Sequence, residues 1–401
     1  SQAFRPPPTK IISYPSLLIF IPSIIIIMLK FSICPIKTLT HLNCLPSPQQ
    51  SPSSLHFEST PFQVSYLINN FDFSPQSASK LCSTYRLNFK TTQNPDSVIN
   101  FFTDYGFSIS QLRHIIAKEP WLLSCNFSKR VLPKFLFFLS KGASISDVVN
   151  LVSENPRILR PSLENHIAPT YELLYTFLRS DQDIIASAIQ APNVLYHPLV
   201  SRNITTLIEN GVAHTTIAKI LRNRNRTLQV RDMVSLVEEL KDLGFNPSKI
   251  SFGAALIAKT SVPKTRWNKK VDTYKKWGWS DQDVNEAFKK QPYCMLRSID
   301  KIDLVMNFWV NQLGWDAMAL AKQPTLFSLS LEKRIIPRAS VVQFLLMNGL
   351  RNKNASLTSP FVPSEKMFLD RFIKRFEKKS SYLLNLYEEK LIAGTKIASH
   401  D

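Results

Sequence analysis

The chain is predicted to be all-α, an α-solenoid of about 7–8 helical repeats, and three observations predict it. First, a five-residue phrase recurs as Glu119-Pro120-Trp121-Leu122-Leu123, Asn155-Pro156-Arg157-Ile158-Leu159 and Ala191-Pro192-Asn193-Val194-Leu195, with 36 residues between successive prolines. Gln291-Pro292-Tyr293-Cys294-Met295 and Gln323-Pro324-Thr325-Leu326-Phe327 repeat it, 32 residues apart. A fixed period of this size marks stacked supersecondary units, each too small to bury its apolar face alone. Second, Gly106, Gly142, Gly211, Gly244, Gly278, Gly314 and Gly349 keep the same beat, and only the third unit lacks its glycine. Third, a helix-capping residue stands two places after the glycine: Ser108, Ser144, Asn246, Ser280 and Asp316, with Ser180 in phase for the third unit. Such side chains accept a hydrogen bond from the free N–H groups of a first turn, worth ~1 kcal/mol. Acids follow in Ser180-Asp181-Gln182-Asp183 and Ser280-Asp281-Gln282-Asp283, where the helix dipole favours them. Each unit thus reads glycine stop, cap, first helix, proline phrase and a longer second helix.

Taken in order, residues 1–27 precede the first methionine, Met28, and include an uncharged run ending in Ile24-Ile25-Ile26-Ile27. Pro15 and Pro22 interrupt that run, so it is expected to be upstream or non-native hydrophobic sequence, with a real hydrophobic segment as the alternative. Residues 28–61 are basic, hydroxyl-rich and poor in acid, the first acidic residue being Glu58, which is the profile of an organelle transit peptide. Residues 62–105 are expected to cap the stack, with a helix over Ser97–Tyr105 carrying Val98, Phe101 and Phe102 at helical spacing. The repeats occupy 106–350. Second helices are predicted at Ser128–Ser140, Leu163–Leu178, Ser201–Glu209, Arg231–Leu243, Trp267–Trp277, Ile299–Leu313 and Leu331–Met347. Two units are degenerate: Asn225 occupies one proline slot, and around Thr260 the phrase has lost its signature. Residues 351–401 form a connector and a basic capping helix, Ser364 to about Lys390, whose Phe368, Phe372 and Phe376 should close the open end.

The composition points to a partner. A net charge of +19 favours a polyanion, either nucleic acid or an anionic membrane surface. If the stack holds a nucleic acid, cations should recur at one register, because phosphates recur along the ligand. Counted from each proline slot, Lys129 and Arg130, Arg202, Lys269 and Lys270, Lys301, and Lys333 and Arg334 stand near the start of the second helix in five of seven units. The unit at Asn225 offers Arg231 instead, together with the cluster Arg222, Arg224 and Arg226. Arginine forks suit phosphates and guanine edges. The plainer reading of each is a solvated helix face. Trp267, Trp277 and Trp279 could stack on bases, but their helical spacing predicts core.

Catalysis is not expected, and no metal or cofactor is called for. The seven histidines are scattered, and no HExxH, GxSxG, Walker or Gly-rich phosphate pattern occurs. Five cysteines without a CxxC pair suggest neither disulfide framework nor zinc site, and Cys125 and Cys294 are predicted to be buried thiols.

The recurring Pro-x-(Leu/Ile/Val)-Leu phrase, its spacing, and Leu331-Glu332-Lys333-Arg334-Ile335-Ile336-Pro337-Arg338 resemble the mitochondrial transcription termination factor family. Phe62–Asn69 and Ser162-Leu163-Glu164-Asn165-His166-Ile167-Ala168-Pro169 resemble its plant branch. The resemblance implies a curved superhelix of units, each two α-helices and a short 3₁₀ turn, with a basic concave groove. It also implies a protein that binds nucleic acid, usually duplex DNA and sometimes RNA, in mitochondria or alternatively in chloroplasts; a monomer is expected. Transcription, its termination, or transcript splicing and maturation would be the process, with other gene-expression proteins as partners and no stable membrane insertion. A helical-repeat scaffold for an acidic protein is the competing function. The missing prolines at Asn225 and Thr260 depart from the pattern in the middle of the stack.

Overall fold

The computed structural model describes residues 61–397. The expectations for residues 1–27 and for the transit peptide lie outside the described residues, apart from Pro61. Every regular element among the described residues is helical. None of their helices is long and apolar enough to cross a membrane.

Three helices lead in: α1 (Phe62–Phe71), α2 (Pro75–Tyr85) and α3 (Gln93–Asp104). The last begins earlier than the predicted Ser97, because Asn94 and Pro95 sit comfortably in a first turn that needs no amide donors. The first helices of the units are α4 (Ile109–Lys118), α7 (Ile145–Glu154), α9 (Asp181–Gln190), α11 (His214–Arg224), α13 (Ile250–Ser261), α15 (Asp281–Lys290) and α17 (Met318–Lys322). Each packs against the next in that order, the contact pattern of a solenoid. Second helices alternate with them: α5 and α6 (Phe127–Arg130, Leu132–Ser140), α8 (Ala168–Leu178), α10 (Pro198–Glu209), α12 (Met233–Asp242), α14 (Lys264–Lys276), α16 (Ile299–Asn307) and α18 (Ile336–Met347).

The punctuation works as the residues demand. All seven in-phase glycines have positive φ, from 66° to 89°, the left-handed stop that a side chain resists. In the third unit Arg179 takes the same conformation at φ 53°. Ser108, Ser144, Ser180 and Ser280 each accept a hydrogen bond from the backbone N–H three residues on. Asn246 differs from the expectation: its Oδ1 accepts from Ser248 N and shapes a turn, while the helix starts later, at Ile250. Each proline phrase closes into a 3₁₀ turn, as at Pro120–Ser124, Pro156–Leu159, Pro192–Leu195, Pro292–Leu296 and Pro324–Ser328.

The degenerate units diverge. At Asn225–Gln229 the 3₁₀ turn survives without proline, because buried Asn225 donates from Nδ2 to Ser187 O (2.9 Å) and Oγ (2.8 Å) in the preceding unit. At Thr260 the turn is gone. There α13 runs on through Ser261, and Thr260 Oγ1 donates back to Leu256 O within its own helix.

Several second helices are less regular than predicted. Pro133 sits at the start of α6, where a missing N–H is harmless, so the first segment splits at Val131. The segments over Leu163–Ile167 and Leu331–Ile335 are single π turns before Pro169 and Pro337, and Phe308–Gln312 is another π turn closing α16. The C-terminal helix is broken, contrary to the single rod predicted. Helix α19 (Glu365–Leu369) and a π turn over Asp370–Lys374 stop at Phe376, and α20 (Ser380–Ile397) then packs on α18. The break allows two segments to cover one end. Phe368 is fully buried and stacks on Phe372 at 5.3 Å, while Leu383 and Tyr387 of α20 join the same cluster.

Candidate nucleic-acid interface

The cations predicted at one register do not share one fate. Lys129, Arg202, Lys269 and Lys333 are exposed near the starts of their second helices, and Lys301 is half-buried. Burial pushes the Lys301 ammonium down, against Glu332, which raises it. Arg224, Arg226 and Arg231 are exposed on and after α11. Among the described residues, none of these eight side chains is held by a hydrogen bond or ion pair. Glu332 lies near Lys301 and Asp232 near Arg202; the cations with no carboxylate beside them keep their field for an outside anion.

Four predicted ligands are otherwise engaged. Lys270 is 3% exposed, and its Nζ donates to Met295 O at 2.8 Å and to Arg297 O. Arg334 donates to Phe361 O, Val362 O and Pro363 O at 2.7–3.2 Å. Arg222 is tied to Asp183 at 2.7 Å and reaches Leu178 O. Arg130 lies over the Trp121 ring, 4.7 Å from its centroid, but remains exposed. For Lys270 and Arg334 the cause is the backbone. The last carbonyls of a short 3₁₀ turn have no partner in the turn, and once buried they need one from elsewhere.

That need explains a feature that charge counting missed. Asn94 Nδ2 donates to Leu123 O (3.1 Å) and Cys125 O (3.3 Å), and Asn203 Nδ2 to Leu228 O (3.0 Å) and Val230 O (2.7 Å). Lys270 grips Met295 and Arg297, so all three clasp the carbonyls three and five residues past the next slot. Arg338, 2% exposed, does the same work at the last turn through Pro360 O, Phe361 O and Pro363 O. The donors themselves, Asn94 on the lead-in helix α3 and Asn203 and Lys270 on second helices, stand in the sequence. Without the carbonyls they serve, they could not be told from ligands.

A second set of contacts links successive turns through side chains. Glu119 is fully buried; its carboxylate accepts from Trp121 Nε1 (2.5 Å) and Arg160 Nε, and Arg157 Nε stands 3.9 Å away. One unit on, Asn155 Nδ2 donates to Asn193 Oδ1 (2.8 Å) and to Tyr196 Oη (3.2 Å). Beyond Ala191 this edge opens into a polar hollow of about 340 Å³ between the third and fifth units.

The tryptophans are structural. Trp279 is buried and stacks on Tyr274 at 4.6 Å, Trp277 Nε1 donates to Asp303, and Trp267 packs edge-on against Phe288 under the Lys259 ammonium. Cys125 and Cys294 are buried as expected, and burial pushes both thiols up, Cys125 to about 11 and Cys294 to about 12. Neither is a nucleophile at neutral pH. Among the described residues no group of His, Cys, Asp and Glu is arranged to hold a metal ion.

Comparison with known proteins supplies the family. The mTERF family model matches residues 99–260 and 254–369. The "Transcription termination factor MTERF15, mitochondrial" of Arabidopsis thaliana is 28% identical over 104 residues, a match covering 26% of this chain and 23% of that relative. The chain therefore aligns with about a quarter of that protein's length. With an all-helical stack in phase with the proline phrase and a family match across most of the described residues, this chain belongs to the mTERF family.

Proposed function

We propose that this chain is an organellar nucleic-acid-binding protein that regulates organelle gene expression by gripping the backbone of duplex DNA along its repeats. The observation that carries the reading is the set of cations without a hydrogen bond or ion pair at matching places in five of the seven units: Lys129, Arg202, Lys269, Lys301 and Lys333. Stacked repeats present such residues at regular intervals, and a polyphosphate offers its charges at regular intervals too. A regularly charged wall facing a groove would bind shape and charge before sequence. The termination-factor name of the Arabidopsis relative supports transcription termination as the process, with transcript processing next, and a mitochondrial address ahead of a chloroplast one. In this reading the protein acts as a monomer without catalysis.

Fluorescence anisotropy against random 30-mers of duplex DNA, single-stranded DNA and RNA, all at ~50 mM salt, tests the class of partner. Tightest binding to the duplex is expected. Preference for RNA would move the function to transcript maturation. Binding weaker than micromolar to all three would leave the protein-scaffold reading instead.

A further inference from the structure

In the first two junctions, the residue just before the proline slot reaches forward to side chains of the next turn. Glu119 meets Arg157 and Arg160, and Asn155 meets Asn193 and Tyr196, in each case one and four residues past the next slot. At the third junction the reaching residue is Ala191, and the corresponding positions are Arg226 and Gln229. A methyl group reaches neither. Arg226 is exposed and unpaired among the described residues, and the buried Nε2 of Gln229 has no acceptor. The hollow opens at this gap, bordered by Gln190, Ala191, Asn223, Arg224, Arg226 and Ser261, and no carboxylate lines it. On its far side stand Thr260 and Ser261, the end of α13, in place of a 3₁₀ turn.

We infer that this hollow is a phosphate site, taking from outside the anion that Glu119 supplies from inside two junctions earlier. Arg224 and Arg226 provide the charge-assisted donors, and the amide of Gln190 provides a neutral one, while Asn223 Nδ2 already donates to Lys219 O at 3.1 Å. The hollow is roomier than a bare phosphate requires, which suits a phosphodiester with its sugar. Assigning the phosphate to a bound strand rests on the proposed function; a free phosphate is the other source of the same chemistry.

The test uses the full chain and two variants with opposite logic. Ala191→Glu restores the internal carboxylate and removes no cation, whereas Arg226→Gln removes the cation. Both should weaken duplex binding ~10-fold, the worth of one charge-assisted contact. Both should also flatten the log–log salt slope by about one. Ser261→Phe, filling the hollow from its exposed rim, should weaken binding likewise if Ala191→Glu fails to fold. Wild-type affinity in the Ala191→Glu and Ser261→Phe proteins would overturn the inference, even if Arg226→Gln weakened binding, because the arginine would then meet phosphate outside the hollow. Thermal melting in inorganic phosphate separates the sources. Stabilisation of the wild type that Ala191→Glu abolishes identifies a free-anion site, and it would stand even if the chain bound no nucleic acid. Weakened duplex binding in the variants without that stabilisation identifies the phosphodiester.

Discussion

Lys269 and Lys270 are adjacent in sequence, the first exposed and the second buried, so methionine at each makes a sharp pair. Methionine keeps the length and apolar stem of lysine and removes the ammonium. At Lys270 this strips the donor from Met295 O and Arg297 O, which lie at the end of the Pro292–Leu296 turn. A buried carbonyl left without a donor costs ~1–3 kcal/mol, and two are affected. Against this, methionine recovers the cost of burying the charge, a cost visible in the Lys270 ammonium being pushed down by burial. The net expectation is a loss of ~2–4 kcal/mol for Lys270→Met with little change in nucleic-acid affinity per folded molecule. Lys269→Met should do the reverse, changing stability by less than ~0.5 kcal/mol, as surface substitutions do, while weakening binding. Urea unfolding followed by far-UV circular dichroism gives the first quantity and anisotropy of a labelled duplex the second. Equal stability of the two variants, or a larger binding defect in Lys270→Met, would refute the clasp.

Other expectations follow from single residues. Arg179→Gly should raise stability by ~0.5–1 kcal/mol and Gly278→Ala lower it by ~1–2 kcal/mol, because both positions hold the left-handed conformation that only glycine adopts freely; thermal melts would show shifts of opposite sign. Asn225→Ala should cost ~1–3 kcal/mol in urea unfolding, since it deletes both bonds to Ser187 that replace the missing proline. Hydrogen bonds from Ser144 and Ser280 hold the carboxyls of Asp147 and Asp283 below the ordinary 3.8. A folded value under the unfolded one means the stability they add is full above pH ~4 and is lost as pH falls through the folded value. The Asp147→Asn/Asp283→Asn protein should therefore show a shallower stability loss below pH ~4 in acid titrations of its melting temperature.

The repeat was legible because its punctuation is a backbone demand that few residues meet. A left-handed stop selects glycine, and a first-turn position without a hydrogen-bonding duty admits proline, so both leave a periodic trace. Arg179 shows the limit of that trace: the conformation persists where the letter does not. Asn225 and Thr260 look equally degenerate in the sequence, yet one turn survives and the other is absorbed into a helix. Asn225 Nδ2 bonds the backbone and hydroxyl of Ser187 in the preceding unit, whereas Thr260 Oγ1, which also meets Thr227 Oγ1, donates to Leu256 O of its own helix, and no local pattern reports this. The interface was legible only in part. Neighbouring helix positions point about 100° apart, so the register that brought Lys269 outward carried Lys270 into the next turn's carbonyls. Arg222 and Arg334 were lost to partners distant in sequence, at Asp183 and at Phe361 to Pro363. The C-terminal aromatic row packs with Leu383 and Tyr387, while the break at Phe376 that brings α20 to it left no signal in the helical spacing.

The central claim is that free cations at one register of the repeat meet the phosphates. Its most direct measurement is the salt dependence of duplex binding for the wild type and for a protein with Lys129, Lys269, Lys301 and Lys333 changed to glutamine. Each lost phosphate contact removes about 0.9 from the slope of log K against log salt, so the quadruple variant should be flatter by ~3–4 while melting at the wild-type temperature. An unchanged slope in a folded variant would place the nucleic acid elsewhere and contradict the account.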